Sequence, residues 1–187
     1  MAELKYRGRR AVSLENEKVR VTLLAGGGHI AEITLKQKNV NPLWTPHWPS
    51  IEPRDFDPAV HTGYGAGAES RLLAGIMGHN LCFDFFGPPS EEEAAAGLTV
   101  HGEASVVDWD VAAEGNDTLR ARAELPLAGM RVERRLRLRD TVLEIEETAE
   151  NQTAPDRPVG WTQHVTLGPP FLAPGRTVFD APATRSK

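Results

Sequence analysis

Cysteine is almost absent from this chain, because Cys82 is the only one among 187 residues. A single cysteine excludes an intramolecular disulfide and a zinc cluster built on several thiolates. The neighbours of Cys82 in the sequence are apolar, with Leu81, Phe83, Phe85 and Phe86 around it. This setting favours a buried structural cysteine over a reactive thiol.

Long apolar runs and an excess of basic residues are also missing. No run approaches the roughly 20 apolar residues of a transmembrane helix, and residues 1–7 lack the apolar core of a secretion signal. We therefore expect a cytoplasmic protein with no membrane partner. The 26 acidic and 21 basic residues give a formal net charge of −5. This balance argues against nucleic acid as a partner, and a neutral small molecule fits better.

Several chemical motifs do not occur. The chain has no H-E-x-x-H, no closely spaced pair of histidines, no glycine-rich phosphate loop and no G-x-S-x-G elbow. We therefore predict no metal and no organic cofactor, although a metal site assembled from distant histidines stays open as an alternative. The six histidines are His29, His47, His61, His79, His101 and His164.

Alternation of apolar and polar residues recurs along the chain, whereas apolar stripes with helical spacing are rare. This pattern predicts a mostly β protein with successive antiparallel strands. Gly26, Gly27 and Gly28 mark the turn of a first hairpin. The predicted strands are Val19 to Leu24, Ile30 to Leu35, Val107 to Val111, Thr118 to Leu125, Met130 to Leu138, Thr141 to Ala149 and Gly160 to Leu167.

We predict a single domain over residues 1–187, with a long irregular segment over residues 39–98. That segment is rich in Pro, Gly, His and aromatic residues and is far longer than an ordinary connection. Within it, only Ser90 to Ala96 resembles a helix, because Ser90 and Glu93 can form a capping box and Gly97 can end the helix.

Two histidines are the candidates for proton transfer, since imidazole has an unperturbed pKa close to neutrality. His164 shares the polar face of its predicted strand with Thr162 and Thr166, where a core position is a poor explanation. His101 precedes Gly102, which offers space for a ligand. The alternatives are a solvated histidine at 164 and a turn histidine bonded to the backbone at 101.

Five further residues are candidate substrate-binding groups. Trp44 and Trp161 offer flat faces that stack on a sugar ring, with ordinary core packing as the alternative. Arg71 offers forked hydrogen bonds to hydroxyl groups, with a plain surface charge as the alternative. We also place Glu103 and His79 in this set.

The order of these motifs resembles the galactose mutarotase-like superfamily, which includes aldose 1-epimerase. The resemblance rests on the glycine-rich hairpin, Asn41-Pro42-Leu43-Trp44, His101-Gly102, and Asn151 with prolines before His164. It implies a large antiparallel sandwich of the supersandwich type with a sugar site on one sheet face. It also implies that His101 positions the substrate, that His164 protonates the ring oxygen and that Arg71 binds hydroxyls.

The resemblance further implies that the C-terminal part of the family's fold, which carries its general-base glutamate, has no counterpart here. Three functional hypotheses follow. The first is an enzyme of the aldose 1-epimerase type that interconverts the anomers of a free aldose in carbohydrate metabolism. The second is a carbohydrate-binding or sensor sandwich without turnover. The third is a metal-dependent, cupin-like sugar isomerase. A homo-oligomer is a further expectation, because exposed edge strands favour association.

Overall fold

A computed structural model describes residues 4–180 and 182, and ten strands lie in this part of the chain. In chain order they are β1 (Leu4–Tyr6), β2 (Arg9–Glu15), β3 (Val19–Leu24), β4 (Ile30–Leu35), β5 (His79–Asp84), β6 (Asp110–Ala113), β7 (Thr118–Leu125), β8 (Met130–Arg139), β9 (Val142–Asn151) and β10 (Gly160–Val165). The α-helices are α1 (Ser70–Gly75) and α2 (Glu91–Ala95), and short 3-10 helices span Pro53–Asp55 and Thr62–Tyr64.

The strands form two antiparallel sheets that pack face to face. One sheet has six strands in the order β1-β2-β3-β4-β5-β10, and the other has four in the order β6-β7-β8-β9. Apolar residues from both sheets make one core, with Leu23, Leu81 and Phe83 from the first sheet and Leu119 and Leu136 from the second. The predicted antiparallel β-sandwich is therefore confirmed.

Strands with clear alternation were predicted close to their observed bounds. The hairpin of β3 and β4 forms as expected, and β7, β8 and β9 are consecutive antiparallel neighbours. The strand expected over residues 107–111 begins later, at Asp110, because Val107 and Trp109 form their backbone hydrogen bonds with the turn that follows β3. Apolar-polar alternation predicts a strand correctly where one of its faces is buried and the other is solvated.

The segment 39–98, which we expected to be irregular, contains both α-helices and one complete strand. Helix α2 has the predicted capping box of Ser90 and Glu93. Strand β5 lies between β4 and β10, and five of its six residues are buried. Because both faces of β5 are covered, its sequence His-Asn-Leu-Cys-Phe-Asp shows no apolar-polar alternation, and periodicity missed it. Cys82 is fully buried there, as predicted, and burial raises the pKa of its thiol to about 11.

A buried ion pair ties the two sheets together near β10. The guanidinium of Arg134 on β8 is fully buried, and its Nε donates to Glu147 on β9 over 2.7 Å. Its Nη1 donates to the carbonyl of Gly28, which follows β3, over 2.7 Å. Glu147 in turn accepts hydrogen bonds from Trp161 and Gln163 on β10. This network fixes β10 against the second sheet.

Both sheets end at the same side of the sandwich, where β9 and β10 are edge strands. Apolar side chains are exposed along this side, namely Val142 and Ile145 on β9 and Trp161 and Val165 on β10. In the described part of the chain, no helix has the length and apolar character needed to cross a bilayer.

Candidate functional site

Two histidines from distant parts of the sequence meet on the outer face of the six-stranded sheet. His164 lies on β10, and His101 lies in the loop between α2 and β6. Their ring centroids are 5.5 Å apart, with 41° between the ring planes. Both residues were candidates from the sequence, and the structure places their rings next to each other.

His101 is held by two hydrogen bonds to Gly87, the residue that follows Phe86. The backbone N–H of His101 donates to the carbonyl of Gly87 over 2.9 Å, and the N–H of Gly87 donates to Nδ1 of His101 over 3.0 Å. The backbone of His101 is left-handed, with a φ of 68°, which few residues other than glycine adopt. Both the position and the orientation of the ring are therefore determined before any ligand binds.

Gly102 is needed for a reason that differs from the one expected. We expected it to let a ligand approach the backbone. Instead, a Cβ at this position would collide with the carbonyl oxygen of Phe83 on β5, and the φ of Gly102 is 81°. Gly102 therefore lets the His101 loop pack directly on β5.

The bond from Gly87 also fixes the tautomer of His101. Because Nδ1 accepts an N–H, the neutral ring carries its proton on Nε2. Protonating Nδ1 would set two N–H groups against each other. Burial, and then the neighbouring His164, lower the pKa of His101 below its usual value. His101 is thus a neutral hydrogen-bond donor at physiological pH.

His164 has a less constrained ring. Its Nδ1 lies 3.3 Å from the hydroxyl oxygen of Thr166, two residues along the same face of the chain. A hydroxyl can either donate or accept a hydrogen bond, so Thr166 is compatible with both the neutral and the protonated ring. Nδ1 of His101 faces an N–H group, whereas Nδ1 of His164 faces a hydroxyl that can bond to it in either form.

Phe86 covers this pair of histidines. Its ring stacks on His101 with a centroid distance of 4.4 Å and an interplanar angle of 17°, and lies 6.2 Å from the ring of His164. The side chain is 60% exposed. An exposed aromatic ring beside two imidazoles gives the site an apolar face of the kind that stacks on a sugar.

Trp44 lies on the same face. Its neighbour Leu43 is buried in the core and bridges to Leu167, so Trp44 and Thr166 face outward on the opposite side. The N–H of Trp44 donates to the carbonyl of Thr166 over 2.8 Å, and its ring packs edge-to-face on Trp48 at 5.5 Å. Trp44 thus lies across from Thr166, which is two residues from His164 on the outer face.

Trp161 and His79 lie on the inner face of the sheet instead. Trp161 packs against Phe83 at 5.3 Å and donates its indole N–H to Glu147 over 2.9 Å. Nε2 of His79 lies 2.6 Å from the amide oxygen of Gln163. Both side chains belong to the network around Arg134, on the opposite side of the sheet from His164.

We expect His79 to make stability depend on pH. Burial lowers its pKa to about 4, below the 6.5 of the ordinary group. The unfolded chain then binds more protons between these two values, so stability falls as pH drops from about 6.5 to about 4. At about 1.4 kcal/mol per unit, the loss from this group approaches about 3 kcal/mol.

Urea unfolding of the wild type and of His79→Gln at pH 7.5, 6.0, 5.0 and 4.5 measures this effect. The free energy of unfolding of the wild type should fall more steeply than that of the variant. Parallel curves would contradict the assignment of His79 as a neutral buried group.

Arg71 and Glu103 occupy separate places. Arg71 is exposed on α1 and lines a cavity of about 290 Å³ together with Thr99, two residues before His101. Glu103 is buried, and its carboxylate accepts hydrogen bonds from the N–H groups of Leu127 and Ala128 at 3.0 and 3.1 Å. Burial nevertheless raises the pKa of Glu103. The carboxylate of Glu103 is therefore already engaged with the turn between β7 and β8.

Metal-binding residues do not converge in the part of the chain that the structure describes. No group of three or more His, Cys, Asp or Glu side chains there has the geometry to hold an ion.

Comparison with solved structures identifies the fold. A galactose mutarotase-like protein from Lactobacillus casei matches 75% of this chain with a TM-score of 0.51 and 15% sequence identity. The chain has the galactose mutarotase-like fold. It spans less than half of that relative, since the match covers 44% of the other chain. A galactose mutarotase related enzyme from Lactobacillus acidophilus aligns over the same share of this chain, with 11% identity and a TM-score of 0.48. No family model and no curated protein sequence matches this chain.

Two residues of the candidate site were not predicted from the sequence. Phe86 lies beyond the end of β5 at Asp84, so strand alternation does not predict where its side chain points. Asn80 lies on β5 directly opposite His164. With β5 itself unpredicted, nothing in the sequence placed Asn80 beside the histidines.

Proposed function

We propose that this chain binds a neutral sugar on the outer face of its six-stranded sheet and interconverts the anomers of that sugar. The observation that carries the proposal is the convergence of His101 and His164, at 5.5 Å between ring centroids. Nδ1 of His101 is occupied by the N–H of Gly87, whereas Nδ1 of His164 contacts only the hydroxyl of Thr166. Such a pair supplies one fixed hydrogen-bond donor and one proton-transfer group.

The chemistry of anomer exchange fits this division of roles. Protonated His164 gives its proton to the ring oxygen while the bond between that oxygen and the anomeric carbon breaks. The anomeric hydroxyl loses its proton to a water molecule and becomes the aldehyde carbonyl. After rotation about the adjacent carbon-carbon bond, the reverse steps close the ring on the other face and return the proton to His164. His101 donates from Nε2 to an oxygen of the sugar and holds it in place.

The surroundings of the pair favour a sugar over a charged ligand. Phe86 and Trp44 offer aromatic faces for the C–H groups of a sugar ring. The two imidazoles supply polar contacts. Because the pKa of His101 is lowered, its ring carries no positive charge at neutral pH. A net charge of −5 gives no general attraction for phosphate.

A second candidate function is sugar binding without turnover. It is favoured by the contacts of two carboxylates, Asp84 and Glu103, which lie two residues from Phe86 and from His101 in the sequence. Asp84 pairs with Arg157, and Glu103 accepts from backbone N–H groups, so neither is a ready general base. In this case His101, His164 and Phe86 form a recognition surface only.

Magnetisation exchange between the α and β signals of free aldoses at equilibrium, measured by NMR, separates the two functions. We expect faster exchange for at least one sugar of a panel when the protein is added. Line broadening of a sugar without faster exchange would favour the non-catalytic function. If no sugar shows either effect, both proposals are wrong.

A further inference from the structure

Asn80 carries a buried amide whose hydrogen-bonding capacity is only partly used. The residue is 1% exposed, and within residues 4–180 and 182 its Nδ2 has no hydrogen-bond partner. Its Oδ1 receives only a weak contact from the thiol of Cys82, at 3.9 Å. Leaving a buried N–H group without a partner costs stability, so such groups are rare in folded proteins.

The position of Asn80 points to the site. In the pairing of β5 with β10, Asn80 lies directly opposite His164, so both side chains stand on the same face of the sheet. Strand alternation gives the same result. Leu81 and Phe83 face the core between the sheets, so Asn80 faces outward. Asn80 is therefore part of the floor of the site, next to the ring that we assign to proton transfer.

Asn41 shows what a structural asparagine looks like in the same protein. Its Oδ1 accepts from the N–H groups of Ile33 and Leu43, and its Nδ2 donates to the carbonyls of Ala31 and Leu43. All its polar atoms hold backbone segments together. The Nδ2 of Asn80 does nothing comparable for the fold.

We infer that Asn80 is a ligand-binding residue whose Nδ2–H donates to one hydroxyl oxygen of the bound sugar, once the side chains that bury it have moved aside. The inference rests on the proposed function, because the sugar is the ligand. It adds a donor from the floor of the sheet to the donor that His101 supplies from the loop. A site with two fixed donors distinguishes sugars by the position of their hydroxyl groups.

The test compares Asn80→Leu with the matched control Asn41→Leu, using a bound sugar and its series of monodeoxy analogues. Leucine has nearly the shape of asparagine without its polar atoms. We expect Asn80→Leu to keep or raise the Tm and Asn41→Leu to lower it. By NMR titration, Asn80→Leu should bind the parent sugar about 3- to 10-fold more weakly. The deoxy analogue that lacks the contacted hydroxyl should bind the wild type and Asn80→Leu with equal affinity.

Three outcomes would overturn the inference while leaving sugar binding intact. They are an unchanged affinity for the parent sugar, an equal loss for every deoxy analogue, or a fall in Tm as large as that of Asn41→Leu. If the wild type binds no sugar of the panel, the proposed function fails and this inference fails with it. The wild-type titration therefore separates the two kinds of failure.

Discussion

The variant His164→Asn is expected to slow anomer exchange by about two to four orders of magnitude, the usual contribution of a general acid or base. Asparagine keeps a polar group close to Thr166 but cannot carry a proton between water and sugar. The loss should appear in turnover, because the group acts mainly on the transition state. NMR exchange rates at saturating sugar measure it directly.

A matched control is His61→Asn, which changes a histidine that stacks on Phe56 and accepts a hydrogen bond from the N–H of Asp57, outside the proposed site. It should exchange anomers at the wild-type rate. The sugar affinity of His164→Asn should stay close to that of the wild type, and its Tm should show that it is folded. A folded His164→Asn with wild-type turnover would rule out the assigned role.

The same measurements on His101→Asn should give a different result. The ring of His101 is fixed by Gly87 and donates from Nε2, so it contributes to binding as well as to the rate. We therefore expect both a weaker affinity and a slower turnover for this variant. A change in turnover alone would mean that His101, too, transfers a proton.

The sequence predicted those parts of the fold in which one face of a strand is solvated. Strands β7 to β9 alternate charged and apolar residues, and their bounds follow from that pattern. Strand β5 could not be read in this way, since it is buried on both faces. Consequently the sequence did not predict that His79 joins the network around Arg134, or that Asn80 lies opposite His164.

The candidate site was predictable in part. The parity of β10 already separates Trp161 from His164, so the two residues should not have been placed in one site. His101 is different, because its position depends on contacts of its loop with Gly87 and, through Gly102, with Phe83 on β5. Contacts of this kind leave no periodic signal in a sequence.

Replacing Arg134 by leucine is expected to lower the free energy of unfolding by about 3–5 kcal/mol, the usual cost of removing one partner from a buried ion pair. The change leaves the carboxylate of Glu147 without its cation in a largely buried place, where its side chain is 8% exposed. It also removes the hydrogen bond to Gly28 and the stacking of the guanidinium over Trp109, 5.4 Å from the ring centroid. Urea unfolding at neutral pH measures the loss.

The neighbouring residue provides the control. Arg135 is on the other face of β8, exposed, and pairs with Glu114 at 3.1 Å. Because such surface pairs contribute about 0–1 kcal/mol, Arg135→Leu should have little effect on unfolding. If the two variants lose equal stability, the buried pair is not what holds the sheets together.

The double variant Arg134→Met with Glu147→Leu tests whether the loss comes from the stranded charge. Well-packed apolar replacements of a buried pair are often neutral, so the double variant should recover most of the stability lost in Arg134→Leu. Its β10 should still exchange amide hydrogens faster than in the wild type, because Trp161 and Gln163 lose their shared acceptor. His164 is on that strand, so restored stability together with slower anomer exchange would mean that the ion pair positions the proton-transfer residue as well as stabilising the fold.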